Sequence, residues 1–455
     1  MRRSRTSGGP CSIPTSSSSS TNSSSHPMSN TARRQPSAAG LDRRHFLSHL
    51  AGLATLAAPA SCFTRSLLAN AADLKKRHKS AILLWMGGGP STMDIWDLKP
   101  GQATGGPFKP ISTSADGVAI SEHMPLTARQ MHHLAIVRSM STREADHQRG
   151  RYYMHTGFVP NPNVEHPSYG SVIAHELADA IEALEIPPFV SVGGGSVGSG
   201  FLGTAWAPFV VNADGRVRNL DMGIEPQRLA ERLRMLAEVE DRFIAERRGG
   251  LPADHRKVVE KTVRLMTSSQ LDAFKVAKEP ADVRERYGET NFGRGCLMAR
   301  RLVEVGVPFI EVNLGGWDNH SDIFPTLADR KLPELDRAMS GLVADLADRG
   351  LLDDTAIIWM GEFSRTPTIN GNGGRDHWAR SWSVVVGGAG FKRGVVVGET
   401  SADGREVVSE PFSSQDLMAS VLRAVDIPLE TTYRAKNGRP MKIANGGRVI
   451  PELFG

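Results

Sequence analysis

The sequence predicts an α/β fold built around a mostly parallel sheet. Two observations carry this prediction: short runs of continuous apolar residues recur along the chain, and helical patterns separate them. Continuous hydrophobicity indicates strands that are buried on both faces, as in parallel sheets. Strands that alternate with helices indicate parallel strands joined by helical crossovers.

Six apolar runs predict the strands of this sheet. They are ILLWM (82–86), HLAIVRSM (133–140), PPFVSVGG (187–194), VPFIEVNLGG (307–316), DTAIIWMGEF (354–363) and WSVVVGGAG (382–390). Helical patterns are predicted between or after them, at residues 171–184, about 226–300, 327–350 and 413–427. We find no internal repeat, so residues 72–455 are expected to form a single domain.

The first 71 residues do not belong to this fold. Residues 1–41 form a Ser-rich leader with few aliphatic side chains, which cannot bury a core. In residues 42–71, Arg43 and Arg44 precede a short apolar run, which resembles a twin-arginine export signal. An export signal predicts a periplasmic or extracellular protein. Because the apolar run is too short for a stable bilayer anchor, we expect no transmembrane anchor.

The charge of the chain argues against nucleic-acid binding, and its cysteine content argues against an intramolecular disulfide. Residues 1–71 hold eight arginines and one acidic residue, which leaves 46 basic and 48 acidic residues in the remainder. A chain with a net charge near −2 is not expected to bind nucleic acid. Only Cys296 lies beyond residue 71, so no intramolecular disulfide is expected in the exported chain.

Polar residues follow four of the predicted strands. Because the ligand crevice of an open α/β sheet lies outside the carboxyl ends of its strands, we expect these residues to form one site. They include carboxylates, histidines and an arginine: Asp94, Asp97, Asp146, His147, Asp318, His320, Glu362 and Arg365. The glycine-rich loop at residues 87–91 has neither P-loop nor dinucleotide-binding spacing, so a nucleotide site is not expected.

Five motifs in this order resemble those of the domain-of-unknown-function family 1501. They are GGPSTMDIWDLKP (88–100), DHQRGRYYMHTG (146–157), GWDNH (316–320), GEFSRTPTING (361–371) and GRDHW (374–378). That family comprises exported, sulfatase-like proteins assigned to the alkaline phosphatase superfamily. The resemblance implies an alkaline-phosphatase-like core, with a mainly parallel sheet between helical layers and metal at the strand ends.

The resemblance also implies a role for His147. Superfamily members place their nucleophile at the start of a helix, ten positions before the glycine of a Thr-Gly pair. Thr156 and Gly157 match that pair, so His147 occupies the nucleophile position. It would either attack the substrate or hold a metal, and the second role is preferred because it also explains the neighbouring Asp146. Arg149 is expected to neutralise an anionic ester near this position.

The metal ligands implied by the resemblance lie in later loops. Asp318, His320 and Glu362 match ligand positions, and His377 matches the terminal histidine-bearing loop. Asp376 would either bind the metal or orient a neighbouring imidazole. Asp94 is the nearest carboxylate after the first strand, so either its loop folds back to the metal or that ligand is lost.

Two functions remain open at the level of sequence. A mixture of imidazoles and carboxylates suits zinc or manganese better than calcium or magnesium. With Arg365 as a second anion-binding group, the leading hypothesis is an exported metal-dependent hydrolase of sulfate or phosphate esters, with carbohydrate as the suggested alcohol. The alternative is a non-catalytic envelope protein that binds a glycan or a protein partner, because the usual hydroxyl nucleophile is replaced by His147.

Overall fold

The structure, a computed structural model, describes residues 78–178, 181, 184–216, 225–245, 264–435 and 437–455. The predicted leader and export signal lie outside these ranges and stay predictions. Within the described ranges, no helix combines the length and the apolar character that crossing a bilayer requires.

An eight-stranded sheet contains all six predicted strands. Its strands, in spatial order, are β12 (Val395–Val397), β4 (Leu134–Met140), β11 (Trp382–Gly387), β8 (Thr355–Met360), β1 (Ser80–Trp85), β7 (Phe309–Asn313), β5 (Phe189–Val192) and β6 (Phe209–Val211). Two-stranded ribbons are formed by β2 (Pro110–Ser112) with β3 (Ala119–Ser121), β9 (Ser364–Arg365) with β10 (His377–Trp378), and β13 (Thr432–Arg434) with β14 (Pro440–Lys442).

The prediction of a mostly parallel sheet is confirmed, with one exception that matters for the site. Strand β11 runs antiparallel to both of its neighbours, β4 and β8, whereas the other neighbouring strands of this sheet pair in parallel. Trp382, the first residue of β11, pairs with Met140, the last residue of β4. The segment that precedes β11 therefore reaches the edge where the parallel strands end.

Helices form at each predicted helical stretch. In the described ranges, the helices whose bounds are both defined are α1 (Pro125–Ala128), α2 (His147–Thr156), α3 (Tyr169–Ala178), α4 (Pro226–Ala245), α5 (Ala281–Tyr287), α6 (Asn291–Glu304), α7 (Ile323–Thr326), α8 (Leu332–Asp348) and α9 (Ser414–Ala424). A π-helical turn, Leu327–Lys331, leads directly into α8, so the predicted helix at 327–350 begins with a wider turn.

Two apolar cores lie on the opposite faces of the sheet. Along β1, Ile82 and Leu84 belong to one core and Leu83 and Trp85 to the other, as alternation along a strand requires. Helices α6 and α8 cover the first core, and α3 and α9 cover the second. Burial on both faces explains why the strands read as continuous apolar runs, and it confirms the layered α/β class.

Local sequence fixes both ends of α2, the helix that carries His147. The side chain of Asp146 accepts a hydrogen bond from the backbone N–H of Arg149 at 3.0 Å, which caps the first turn. Gly157 ends the helix in the left-handed conformation, with φ 72°. His147 is therefore held as the first residue of the helix.

Candidate metal centre

Segments that are distant in sequence meet at the edge where the parallel strands end. Helix α2 starts there after β4, and loops arrive from β7 and β8. The ribbon of β9 and β10 pairs Arg365 directly with His377. The polar side chains that these segments contribute are His147, Asp318, His320, Glu362, Arg365, Asp376 and His377.

His147 is held between two carboxylates. Its Nδ1 lies 2.7 Å from Oε1 of Glu362, and its Nε2 lies 3.2 Å from Oδ2 of Asp318. The hydrogen bond to Glu362 raises the pKa of His147, although partial burial acts in the opposite direction. Because a carboxylate accepts, Nδ1–H donates to Glu362, and Nε2 is directed at Asp318.

Two buried atoms of this pair lack hydrogen-bond partners. They are Nε2 of His147 and Oε2 of Glu362, and the Glu362 side chain is only 4% exposed. The other oxygen of Glu362 also accepts the backbone N–H of Gly88 at 2.9 Å. Buried polar atoms are normally paired, so this arrangement is suited to a bound ion or ligand.

The other two imidazoles are oriented in the same manner. Nδ1 of His377 lies 2.7 Å from the carbonyl oxygen of Ala145, and Nδ1 of His320 lies 2.7 Å from Oδ1 of Asp376. Both acceptors favour a proton on Nδ1, so in the neutral form of each imidazole Nε2 carries the lone pair. These two Nε2 atoms face each other at 3.2 Å. Two lone pairs repel at that distance unless a proton or a cation lies between them.

Asp318 lies at the centre of the histidines. Its Oδ1 accepts a hydrogen bond from Nη2 of Arg365 at 2.7 Å and lies 2.9 Å from Nε2 of His320 and 3.3 Å from Nε2 of His377. Partial burial raises the pKa of Asp318, but the hydrogen bond and charge of Arg365, with smaller effects from His147 and His377, outweigh it and lower the pKa to about 2. Asp318 is therefore an anion at any physiological pH.

The geometry fits a divalent metal ion. One ligand atom from each of His147, Asp318 and His377 lies within 4.8 Å of the other two. Tetrahedral zinc, with metal–ligand distances of about 2.0–2.1 Å, separates its ligand atoms by roughly 3.3 Å. Nε2 of His147 lies 3.2 Å from Oδ2 of Asp318 and Nε2 of His377 lies 3.3 Å from Oδ1, so each imidazole is at about that spacing from one of the two carboxylate oxygens.

Arg365 is buried and engaged with protein groups. Its Nε donates to the carbonyl oxygen of Gly89 at 2.7 Å, and its Nη2 donates to the carbonyl oxygen of Gly88 as well as to Asp318. Burial lowers the pKa of Arg365, against the opposing effect of Asp318. Its Nη1 lies 3.4 Å from Nε2 of His320, so positive charge already occupies the His320 side of Asp318.

A cavity of about 460 Å³ adjoins His147 and Asp318. Its walls come from the loops that follow β1, β5 and β7 and from one face of α2. The lining residues are Trp85, Gly87, Gly88, His147, Gln148, Arg151, Gly193, Gly194, Gly195, Asn313, Gly315, Asp318 and Glu362. The cavity thus lies in the crevice at the strand ends. It shares His147 and Asp318 with the ion-binding group, which consists of His147, Asp318 and His377.

A family model for proteins of unknown function matches residues 78–454. The chain belongs to the DUF1501 family. This result confirms the resemblance inferred from the five sequence motifs. None of the curated proteins shows a significant sequence match to this DUF1501 protein.

Solved structures similar to this DUF1501 protein include sulfatases and other alkaline phosphatase superfamily members. The PsFucS1 sulfatase from Pseudoalteromonas sp. is 13% identical over 80% of this chain and 70% of its own, with a TM-score of 0.36. An alkaline phosphatase superfamily protein from Vibrio parahaemolyticus is 12% identical over 83% and 71%, with a TM-score of 0.37. The phosphonate monoester hydrolase SpPMH from Silicibacter pomeroyi is 13% identical over 83% and 77%, with a TM-score of 0.32. Values this low say nothing about the chemistry of this chain.

The structure does not bring Asp94 to the ion-binding group. Asp94 is fully buried, and its two oxygens accept hydrogen bonds from Nε and Nη2 of Arg375, each at 2.9 Å. Burial raises the pKa of Asp94, although Arg375 and Ser91 act in the opposite direction. A carboxylate saturated by a bidentate arginine and a serine hydroxyl has no oxygen free for a metal.

Arg149 points away from the cavity, and Arg151 takes the place expected for it. The Arg149 guanidinium donates two hydrogen bonds to the carboxylate of Glu144, at 2.7 and 2.9 Å, on the exposed side of α2. Residues four apart share a helical face, whereas residues two apart do not. Arg151 therefore shares the face of His147 and lines the cavity, where it also donates to the carbonyl oxygen of Gly195.

Glu362 and Asp376 were both expected as metal ligands. In the structure each accepts from an imidazole Nδ1, Glu362 from His147 and Asp376 from His320. For Asp376, orientation of an imidazole was one of the two roles predicted from the sequence. The Ala145 carbonyl that orients His377 was not anticipated, because a backbone acceptor leaves no signal in the residue types.

Proposed function

We propose that this DUF1501 protein is an exported, metal-dependent hydrolase of sulfate or phosphate esters. The carrying observation is the convergence of two imidazole Nε2 atoms, from His147 and His377, on the carboxylate of Asp318, at 3.2 Å from Oδ2 and 3.3 Å from Oδ1 respectively. Zinc or manganese is the expected ion, since such mixed nitrogen and oxygen donors suit them best.

Three protein ligands leave a position open for substrate. Catalytic zinc sites keep one open position, whereas structural sites are closed by four protein ligands. The Arg365 guanidinium pairs with Oδ1 of Asp318 and lies 3.4 Å from His320 Nε2, which disfavours a second cation on that side. His147 and Asp318 face the cavity, so the open position would lie toward it.

The residues around this position have distinct tasks. A divalent ion held there supplies a Lewis acid for the ester oxygen. Glu362 keeps the proton of His147 on Nδ1, so that Nε2 carries the lone pair that a metal ligand needs. Arg151 and the N-terminus of α2 present positive charge to the anionic ester group. Asp376 holds Nδ1–H of His320, so that the Nε2 atom of His320 faces the group and can accept a proton.

A binding protein is the second candidate, and one observation favours it. Nε2 of His320 lies 3.2 Å from Nε2 of His377, close enough for His320 to bind the same ion and close the site. A closed site with His147 at the nucleophile position would hold a glycan or a protein partner without turnover.

Metal analysis and an ester screen separate these candidates. Purified wild type, His147→Ala and the surface control Arg149→Ala are analysed for bound metal and assayed on chromogenic sulfate and phosphate esters. The hydrolase predicts about one equivalent of zinc or manganese with turnover in wild type and Arg149→Ala, and loss of both in His147→Ala. Bound metal without turnover on any ester favours the binding protein, and absence of metal rejects both metal-based proposals.

Export and domain organisation complete the proposal. We propose that residues 42–71 direct export by the twin-arginine route and that residues 72–455 form one domain. A reporter fused after residue 71 should reach the periplasm of a bacterial host, and replacement of Arg43 and Arg44 by lysine should retain it in the cytoplasm. Export that persists in the lysine variant would argue against this route.

A further inference from the structure

The loops that wall the cavity contain two glycines that neither conformation nor packing requires. A Cβ atom placed on Gly195 or Gly315 would meet nothing within 4 Å, and neither residue has a positive φ. Gly88 and Gly193 differ, because their φ values of 111° and 77° favour glycine. Gly195 and Gly315 therefore lie where the structure has room for a side chain and the sequence provides none.

Gly195 and Gly315 are exposed residues of the cavity wall. Glu362, whose buried Oε2 has no hydrogen-bond partner, also lines this cavity. This unpartnered acceptor is independent of the glycines and points to a ligand that donates hydrogen bonds. A volume of about 460 Å³ falls within the usual range of ligand pockets, about 300–1,000 Å³.

The chemistry of the walls selects among ligands of this size. Apart from the indole of Trp85, the lining side chains are polar or ionisable, including Gln148, Arg151 and Asn313, and the glycine loops add backbone hydrogen-bonding groups. A lipid or a flat aromatic group would cover hydrogen-bonding groups of the wall without pairing with them, which costs about 1–3 kcal/mol for each group left unpaired. A ring that carries several hydroxyl groups pairs with them.

We propose that this cavity binds the hydroxyl-rich alcohol part of the ester, a ring of monosaccharide size, and that Gly195 and Gly315 set its width. The inference rests on the proposed function, since the ester group would lie at His147 and Asp318 while the ring occupies the cavity. Gly195 and Gly315 are then specificity-determining positions of the hydrolase.

Leucine substitutions test the proposal by filling the space. Isothermal titration calorimetry measures the affinities for glucose 6-sulfate, glucose 6-phosphate, inorganic sulfate and inorganic phosphate. The proteins compared, all treated with zinc, are wild type, G195L, G315L and the control G371L. Gly371 also has no positive φ and open space at its Cβ, but it does not line the cavity. Alanine variants at the same three positions give the graded, smaller change, and thermal melts verify folding.

The expected result is a loss of preference for the sugar. Wild type and G371L should bind at least one sugar ester about tenfold or more tightly than its inorganic anion. G195L and G315L should remove that difference while zinc stoichiometry and inorganic anion affinity stay within about twofold. Sugar esters that bind no tighter than the anions, or leucine variants that keep the preference, overturn the proposal. A protein without zinc that keeps a leucine-sensitive sugar preference overturns the metal hypothesis alone.

Discussion

At the residue scale, the site depends on which ring nitrogen of each histidine carries the proton. Glu362, Asp376 and the Ala145 carbonyl hold Nδ1–H of His147, His320 and His377 respectively. Such partners fix the tautomer and increase the basicity of the nitrogen that binds a metal. The three imidazoles therefore present Nε2 toward Asp318 before any ion arrives.

The raised pKa of His147 predicts a pH dependence of metal binding. In the metal-free protein, Glu362 stabilises the protonated form of His147. This contribution to stability is fully present below the ordinary histidine pKa of about 6.5, and it is lost as pH rises through the raised pKa of His147. Zinc needs unprotonated Nε2, so zinc affinity should increase over the same window. Glu362→Gln removes the carboxylate charge, lowers the pKa of His147 and should move the midpoint to lower pH.

Chelator-competition titrations with zinc across the histidine range measure this shift. Glu144→Gln is the matched control, because Glu144 pairs with Arg149 outside the cavity. An unchanged midpoint in Glu362→Gln, or an equal shift in both variants, would contradict the role given to Glu362.

At the element scale, one face of α2 joins the ion-binding group to the core. His147, Arg151 and His155 are spaced four apart and so share this face. His155 is buried, packs against Trp85 with ring centroids 4.1 Å apart, and places Nε2 3.3 Å from Oε2 of the buried Glu311. The helix is thereby anchored to β1 and β7 below the cavity.

Arg149 and Arg151 lie on different faces of α2, so alanine substitutions at the two positions are expected to affect anion binding differently. Arg151→Ala should weaken binding of inorganic sulfate or phosphate about tenfold or more, since a charge-assisted hydrogen bond contributes about 1.5–3 kcal/mol. Arg149→Ala should leave it unchanged, because Arg149 is exposed and paired with Glu144. Anion titrations on both variants measure the difference, and equal losses would contradict the assignment of Arg151.

Gly88, in the loop after β1, gives a second prediction about how one element positions the site. A Cβ on Gly88 would lie 2.7 Å from the backbone nitrogen of Asp318, and φ is 111°. Gly88→Ala should therefore displace Asp318, reduce zinc affinity and lower the free energy of unfolding by about 1–3 kcal/mol.

Gly101→Ala is the control for backbone strain alone. Gly101 has a similarly positive φ of 80°, but a Cβ there would meet nothing within 4 Å. Zinc titration and urea unfolding of both variants separate the two effects. Retained zinc affinity in Gly88→Ala would show that this contact does not position Asp318.

At the scale of the whole molecule, the site joins segments whose positions depend on the folded sheet. His147 and His377 are 230 positions apart in sequence, and Asp318 lies between them. An ion that binds only the folded chain stabilises it by about 2.7 kcal/mol when its free concentration is a hundred times the dissociation constant. Metal removal should therefore lower the thermal stability of the protein.

Thermal melts with and without EDTA measure this effect. Wild type should lose a few degrees of Tm in EDTA. His147→Ala, which lacks one ligand, should show little response, and Arg149→Ala should respond as wild type does. A wild-type Tm that is indifferent to both EDTA and added zinc would contradict metal binding by the folded state.

The local hydrophobic pattern of the chain was enough to predict the α/β class and six strands of the central sheet. Buried strands and helical crossovers leave local hydrophobic patterns, so these features were predicted and are confirmed. The rule that ligands gather at strand carboxyl ends correctly brought His147, Asp318 and Glu362 to one edge.

The roles of these residues depend on contacts between segments that are distant in the sequence. His377 reaches the edge because β11 runs antiparallel, and strand direction leaves no local signal in an apolar run. Asp94 is occupied by Arg375, 281 positions away, and no spacing reveals such a partner. Which arginine lines the cavity, Arg149 or Arg151, depends on the face of α2 that each one occupies. The room for a side chain at Gly195 and Gly315 depends on the loops around them. Each is a matter of three-dimensional contact, which residue types alone do not encode.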